Sequence, residues 1–289
     1  MPITARTLTT NKQMIAYFRK RRRTKIRRRP FPEAWLSIIE TNVPAYGRMP
    51  EATQAELLEH VLVFLEEKRF EGCGGLEITD EIVVTIAAQA CVLLVSRDSA
   101  YYPRLRSILV YPDAYVTQAS SWSEDGTLTE EAQHRLGESW TTGSVILSWN
   151  ASKAGAASEH DGHNVVFHEF AHQLDQEDGI GDGAPLLGKK LTRTERRSMY
   201  VTWARIMQSE FDELQHQVER GKSTLIDDYG ATNPAEFFAV ATETFFEKPR
   251  LLRKRHPELY AELQGYYCQD PAAWKRSAVD DDEDPAGSQ

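Results

Sequence analysis

Cysteine is scarce in this chain: Cys73, Cys91 and Cys268 are the three in 289 residues, widely spaced and odd in number. That excludes a disulfide framework and a cysteine-based zinc knuckle, and fits free thiols in a reducing cytoplasm. Long apolar runs are also missing. No stretch reaches the roughly 20 residues needed to cross a bilayer, so no membrane span is expected. The apolar "MIAYF" (Met14 to Phe18) is too short for the core of a signal peptide, and a cytoplasmic protein is predicted. No internal repeat is found.

Acidic residues are absent from positions 1–29, which hold eleven Lys/Arg, nine of them between Arg19 and Arg29. The rest of the chain is left with 23 Lys/Arg against 43 Asp/Glu, −20, although the net charge is only −9. A basic block of this kind suits nucleic acid or an anionic membrane surface. It carries no stacking aromatics within the block and no DNA-binding motif, so it reads as a solvated, disordered arm, and a nucleic-acid partner is not expected. The acidic "DDDED" (Asp280 to Asp284) reads as a disordered tail.

The remaining composition is that of an ordinary globular domain with a sizeable core. Pro30 and Pro32 mark its start. Glu51 to Glu67 places Leu57, Leu58, Val61, Leu62 and Leu65 on one helical face. Asp80 to Val95 is apolar nearly all round and predicts a buried helix with Asp80 as N-cap. "SILVYPDAYV" (Ser107 to Val116), interrupted by Pro112, suits an edge strand or strand pair. Residues 118–138 are polar and turn-prone, and "GSVILSW" (Gly143 to Trp149) is a short strand. Met199 to Val218 repeats at helical spacing and ends near Gly221. Asn233 and Pro234 open a further helix that Pro249 stops, and "PELYAELQGYY" (Pro257 to Tyr267) closes the body. The predicted class is α+β, mostly helical, with a few short strands ahead of the segment considered next.

That segment is "NVVFHEFAHQLD", Asn164 to Asp175. His168 and His172 stand one helical turn apart, about 5–6 Å between Cβ atoms, so both imidazoles can reach one zinc at about 2.0–2.1 Å. Glu169, about a quarter turn away, is placed to take a proton from a water held there. The apolar flanks predict a buried helix, in which two histidines and a glutamate need partners and a metal supplies one.

A catalytic zinc needs a third protein ligand. In the extended H-E-x-x-H-x-x-G-x-x-H pattern, Asp175 replaces the glycine and Asp178 the last histidine, a weak local option. The other candidates are Glu236 and Glu243, two turns apart on one face of the "NPAEFFAVATETFF" helix. Glu236 also sits where a capping box would use it, and spacing alone does not choose between them. Asp175, one turn beyond His172, is a candidate to orient a ligating imidazole. Tyr229 is a candidate donor to an oxyanion. His163 faces elsewhere and reads as structural or exposed.

"NVVFHEFAHQLD" followed by "YGATNPAEFFAVATETFFEKP" resembles the Mlc titration factor A family of zinc metallopeptidases. "PFPEAWLSIIETNVPAY", "FEGCGGLEITDEIVVTIAAQACVLL" and "VILSWN" carry the likeness further, over roughly Pro30 to Trp274. The resemblance implies a zincin-like fold, distantly similar to the protease domain of anthrax lethal factor, over residues 30–276, between the arm (1–29) and the tail (277–289). It implies one zinc per chain held by His168, His172 and Glu236, with Glu169 as catalytic base, Tyr229 catalytic and Glu243 in support. The implied activity is peptidase, aminopeptidase-like on small substrates. An implied partner is a glucose-responsive transcriptional repressor, Mlc, that governs sugar uptake. The rival reading is a repressor-sequestering protein with a structural or vestigial zinc. Intact Glu169, Tyr229 and Glu236 weigh against it. The strand Gly143–Trp149 is expected to offer an edge to an extended peptide. The Arg-rich arm and the acidic tail depart from the family pattern.

Overall fold

Residues 4–113, 115–122, 128–135, 137–140, 143–158, 161–188 and 191–275 are described by the structure, a computed structural model. The N-terminal half runs through α1 (Thr4–Arg27), α2 (Glu33–Asn42), α3 (Ala45–Arg48), α4 (Glu51–Glu67), β1 (Arg69–Gly72) and α5 (Asp80–Val92). α5 is the central pillar: Val84, Ile86, Ala87, Ala88 and Ala90 are fully buried, and it packs on α2 and α4. Its N-cap is Thr79, whose hydroxyl accepts from the Ile82 amide, and not Asp80. The extended backbone that a cap requires falls at Thr79. Asp80 is the first helical residue, and its carboxylate accepts from the Trp35 indole at 2.9 Å.

The basic segment expected to be a disordered arm is helical as α1, and its inner side is docked. Ile26 is buried, and the Arg23 guanidinium donates twice to the Glu67 carboxylate, at 2.8 and 2.7 Å. Arg22 and Arg29 both reach Glu66, and Arg27 donates to the Tyr101 hydroxyl. A run of like charges resists ordering only while it lacks counter-charge; α4 supplies it. The acidic tail lies outside the described residues.

β2 (Ser107–Tyr111), β3 (Tyr115–Trp122), β4 (Leu128–Arg135), β5 (Gly137–Trp140) and β6 (Ser144–Ser148) follow. One sheet has the order β1-β2-β6-β5, parallel except for the β5–β6 pair, and β3 with β4 forms a separate antiparallel pair. The stretch expected to be an edge strand or a strand pair holds β2 and the start of β3 on either side of Pro112. β2 is central, not an edge: it is paired on both sides, with Ile108 and Val110 fully buried. Pro112 falls just past its end, where it removes no ladder hydrogen bond. β6 is internal as well, so the edge next to it is β5, not the Gly143–Trp149 strand. The stretch 118–138, read as turn-prone, contributes to β3, β4 and β5. Its polar side chains hid strands whose backbone pairing needs no apolar alternation.

All these strands precede the helices α6 (Trp149–Ala157), α7 (Val165–Asp175), α8 (Arg193–Glu219), α9 (Pro234–Glu247), α10 (Pro249–Arg255) and α11 (Pro257–Tyr267). Pro249 both ends α9 and opens α10 at its first turn. α7 is held from two sides. Phe170 packs on Tyr102 and Phe64 at ring-centroid distances of 4.8 and 5.7 Å, and Phe167 meets Phe246 of α9 at 5.3 Å. α9 is anchored in turn by Phe238 against Trp203 and Tyr266. Removing one such buried ring costs roughly 3–5 kcal/mol, so α7 and α9 meet in a fixed register.

Candidate metal centre

Three ligand-capable side chains converge where α7 crosses α9. His168 Nε2 and His172 Nε2 lie 3.2 Å apart, and Glu236 Oε2 stands 3.0 Å from the first and 3.2 Å from the second. On a tetrahedral zinc with bonds of about 2.0–2.1 Å, ligand atoms are separated by about 3.3 Å. The donor set, two imidazoles and one carboxylate, and its spacing therefore fit that ion. Among the described residues this is the group of His, Cys, Asp or Glu side chains close enough to share a metal.

Local sequence explains how each donor is aimed. Asn164 caps α7, its side-chain oxygen accepting from the amides of Val166 and Phe167, which starts the helix so that His168 and His172 share one face. Asn233 caps α9 in the same way, accepting from Ala235 and Glu236. Glu236 sits at the capping-box position, yet its carboxylate is turned onto the two histidines. Asp178 lies apart in an exposed turn, bonded to the Ile180 amide.

Glu243, two turns along α9, meets the opposite side of the same imidazole: His168 Nδ1 donates to Glu243 Oε1 at 2.8 Å. The other Glu243 oxygen accepts from the Asn164 backbone amide at 2.5 Å. Asn164 in turn donates its side-chain amide to Gly155 O and to Glu247 Oε1. Burial pushes the Glu247 carboxyl well above the usual carboxylate range. Asn164 and Glu247 were not singled out from the sequence, although signals existed. Asn before an apolar helix is a cap signal, and Glu236, Glu243 and Glu247 repeat at seven and four residues along one face.

Asp175 does not orient His172 by a hydrogen bond. Its Oδ2 accepts from the Gly183 amide at 2.8 Å, and burial raises its carboxyl to about 6. Gly183 has φ +81°, and a Cβ there would stand 2.4 Å from Pro234 O, so only glycine lets this loop press against the start of α9. Trp203 Nε1 donates to Gly183 O and completes the clasp.

These elements enclose a cleft of 1390 Å³ lined by His168, Glu169, His172, Asp175, Tyr229, Glu236 and Glu243. Among the described residues no Lys or Arg lines it, while Asp161, Asp182 and Asp227 do. Glu169 is buried. Tyr229 is exposed on a 3₁₀ turn, Asp228–Ala231, its ring centroid 6.0 Å from that of His168. His163 is exposed at the rim, 3.6 Å from Asp227. Burial opposes protonation of His168, but the carboxylates of Glu236 and Glu243 outweigh burial and raise its pKa to about 10. Burial likewise works against the Glu236 charge, and the two imidazoles hold it well below the usual carboxylate range.

Comparison with known proteins places the chain among metal-dependent peptidases by sequence. Residues 17–268 match the family model described as glucose-regulated metallo-peptidase M90. An uncharacterized protein of Synechocystis sp. is 43% identical over 251 residues, covering 86% of this chain and 89% of that one. Mlc titration factor A of Yersinia pestis and of Yersinia pseudotuberculosis are each 28% identical over 247 residues, 83% of this chain and 87% of theirs. Matched over most of its length by that family model and by the Synechocystis relative, the chain belongs to the glucose-regulated metallo-peptidase M90 family.

Proposed function

We propose that the protein is a zinc-dependent peptidase whose centre is held by His168, His172 and Glu236, one ion per chain. The observation that carries this reading is the set of 3.0–3.2 Å separations among their three ligand atoms. When bound there, zinc supplies Lewis acidity toward water and a substrate carbonyl.

The chain's own residues do the rest. Glu169, on the same helix and lining the cleft, acts as general base and then returns the proton to the leaving amine. Tyr229 stands at the mouth with its ring turned toward His168, placed to donate its hydroxyl to the developing oxyanion. Glu243 fixes the imidazole of His168 by holding its Nδ1 proton, which leaves Nε2 for the ion. β5, the antiparallel edge beside α7, offers backbone groups to an extended substrate. The lining, rich in carboxylates and without Lys or Arg among the described residues, favours a substrate with a free amino terminus, which supports aminopeptidase-like cleavage of small peptides. The catalytic body is the segment 30–276, acting in the cytoplasm.

A second role, capture of an Mlc-like repressor, is suggested by the name of the Yersinia relatives. The two roles are compatible, because a repressor can bind the rim without using Glu169.

The test is metal content together with peptide hydrolysis, on wild type and Glu169→Gln side by side. One zinc in both with hydrolysis only in wild type is expected. One zinc in both and hydrolysis in neither, across a panel of peptides, replaces the enzyme by the repressor-binding reading. No zinc in either removes the site.

A further inference from the structure

α1 divides its charge between two sides. At about 100° per residue, Arg23, Ile26 and Arg27 point into the body, where Glu67 and Tyr101 take the guanidinium groups. The opposite face carries Met14, Tyr17 and Phe18, followed by Arg21 and Lys25, with Arg28 one residue past the end of the helix. All six are exposed, the three apolar ones at 51, 60 and 58%. Arg21, Lys25 and Arg28 make no ion pair among the described residues. Among the described residues this face sets three large, more than half exposed apolar side chains at the head of a row of cations, with no acidic residue anywhere in positions 1–29.

We propose that this outer face of α1 docks on an anionic lipid bilayer. A helix lying in the interface buries apolar side chains at the boundary between headgroups and acyl chains and sets its cations against lipid phosphates. The order along α1 matches that use, with an apolar turn and then a cationic stretch on one stripe. A single-stranded nucleic acid is the competing occupant. It asks for flat aromatic platforms interleaved with cations. Here the aromatics are gathered in one turn beside a methionine, and the rings of Tyr17 and Phe18 meet edge-on at 70°, a knob for hydrocarbon and not a stacking surface. The rest of the chain, at −20 outside positions 1–29 with the acidic tail included, is repelled by an anionic membrane, so attachment runs through this face.

The experiment is co-sedimentation of the full chain with vesicles of phosphatidylcholine alone, and with vesicles of equal parts phosphatidylcholine and phosphatidylglycerol. Wild type is expected to sediment with the anionic vesicles only and to be released by high salt. The triple variant R21Q/K25Q/R28Q should lose about fivefold in partition for each cation removed. Tyr17→Ser with Phe18→Ser should weaken vesicle binding while leaving the docked side of α1 intact, as circular dichroism would report. Vesicle binding unchanged in both variants overturns the proposal, as does no binding by wild type. Tighter binding to a single-stranded oligonucleotide than to anionic vesicles, insensitive to the Tyr17/Phe18 pair, also overturns it and assigns the face to nucleic acid.

Discussion

The helix pair α7–α9 and the outer side of α1 are both dense in ionisable groups, and they use them in opposite ways. Between α7 and α9, His168 has a carboxylate on each ring nitrogen, within 3.0 Å. On the outer side of α1 and just past its end, Arg21, Lys25 and Arg28 are exposed and remain hydrated. Burial makes the difference. Withdrawing a charge from water costs several kcal/mol unless a well-placed partner offsets it, so inside the cleft each group dictates the position of the next. On the surface water satisfies each cation separately, and what remains is a potential without a geometry. Buried charge is therefore informative about chemistry, and exposed charge about partners.

The sharpest way to break this contrast is to change a buried group that does not ligate. Glu169→Gln should lower peptide hydrolysis by a factor of about 10²–10⁴ with zinc retained, the span expected for losing a general base. Turnover close to wild type would remove Glu169 from the chemistry.

Replacing Glu243 by Gln should weaken zinc affinity by about 10–100-fold, the usual effect of losing the group that orients a ligating histidine. Competition with a chromogenic chelator measures it, and unaltered affinity would reduce Glu243 to packing. The same network predicts a pH signature for metal-stripped protein. The folded-state pKa of His168, about 10, exceeds its unfolded value of about 6.5. Its stabilising charge is complete below about pH 6.5 and lost as pH climbs toward about 10. Glu236 is depressed, so its contribution is present above about pH 4.3 and lost on acidification. Metal-stripped protein should therefore melt highest between those limits, and zinc affinity should rise with pH as the ion displaces the His168 proton. A melting temperature that increased from pH 7 to pH 9 without metal would contradict the coupling.

Asn164→Ala removes the α7 cap and the link to Glu247 and should cost about 1–3 kcal/mol in urea unfolding. On α1 the two sides should separate cleanly. Arg23→Gln, which breaks the paired bonds to Glu67, is expected to cost about 1 kcal/mol. Arg21→Gln should stay within about 0.5 kcal/mol of wild type. Equal effects would mean that the docked and outer sides of α1 are not distinct.

Much of the helical frame was legible from pattern alone. α4 and α9 run where apolar spacing and caps place them, and α8 contains the Met199–Val218 repeat although it starts earlier, at Arg193. A helix with one buried face writes its period into the sequence. The strands were less legible. β2 is central and not an edge, and β3 to β5 arise in a segment whose polar side chains carry no alternation. Strand pairing is a long-range property of the backbone, and local composition does not reveal it.

For the site, the sequence by itself determined that His168 and His172 share a helical face and that a third ligand is needed, with an acid from a later helix favoured over the local Asp178. It left Glu236 and Glu243 open, since both lie on one face of α9. The packing of Phe167 on Phe246, with the two Asn caps, sets how far α9 slides along α7. That register sends Glu236 to the Nε2 side of His168 and Glu243 to the Nδ1 side. It also recruited Asn164 and Glu247 and tied Asp175 to Gly183 instead of to His172. Residues on one helix are related by a fixed period, but residues on two helices are related only by how their side chains pack.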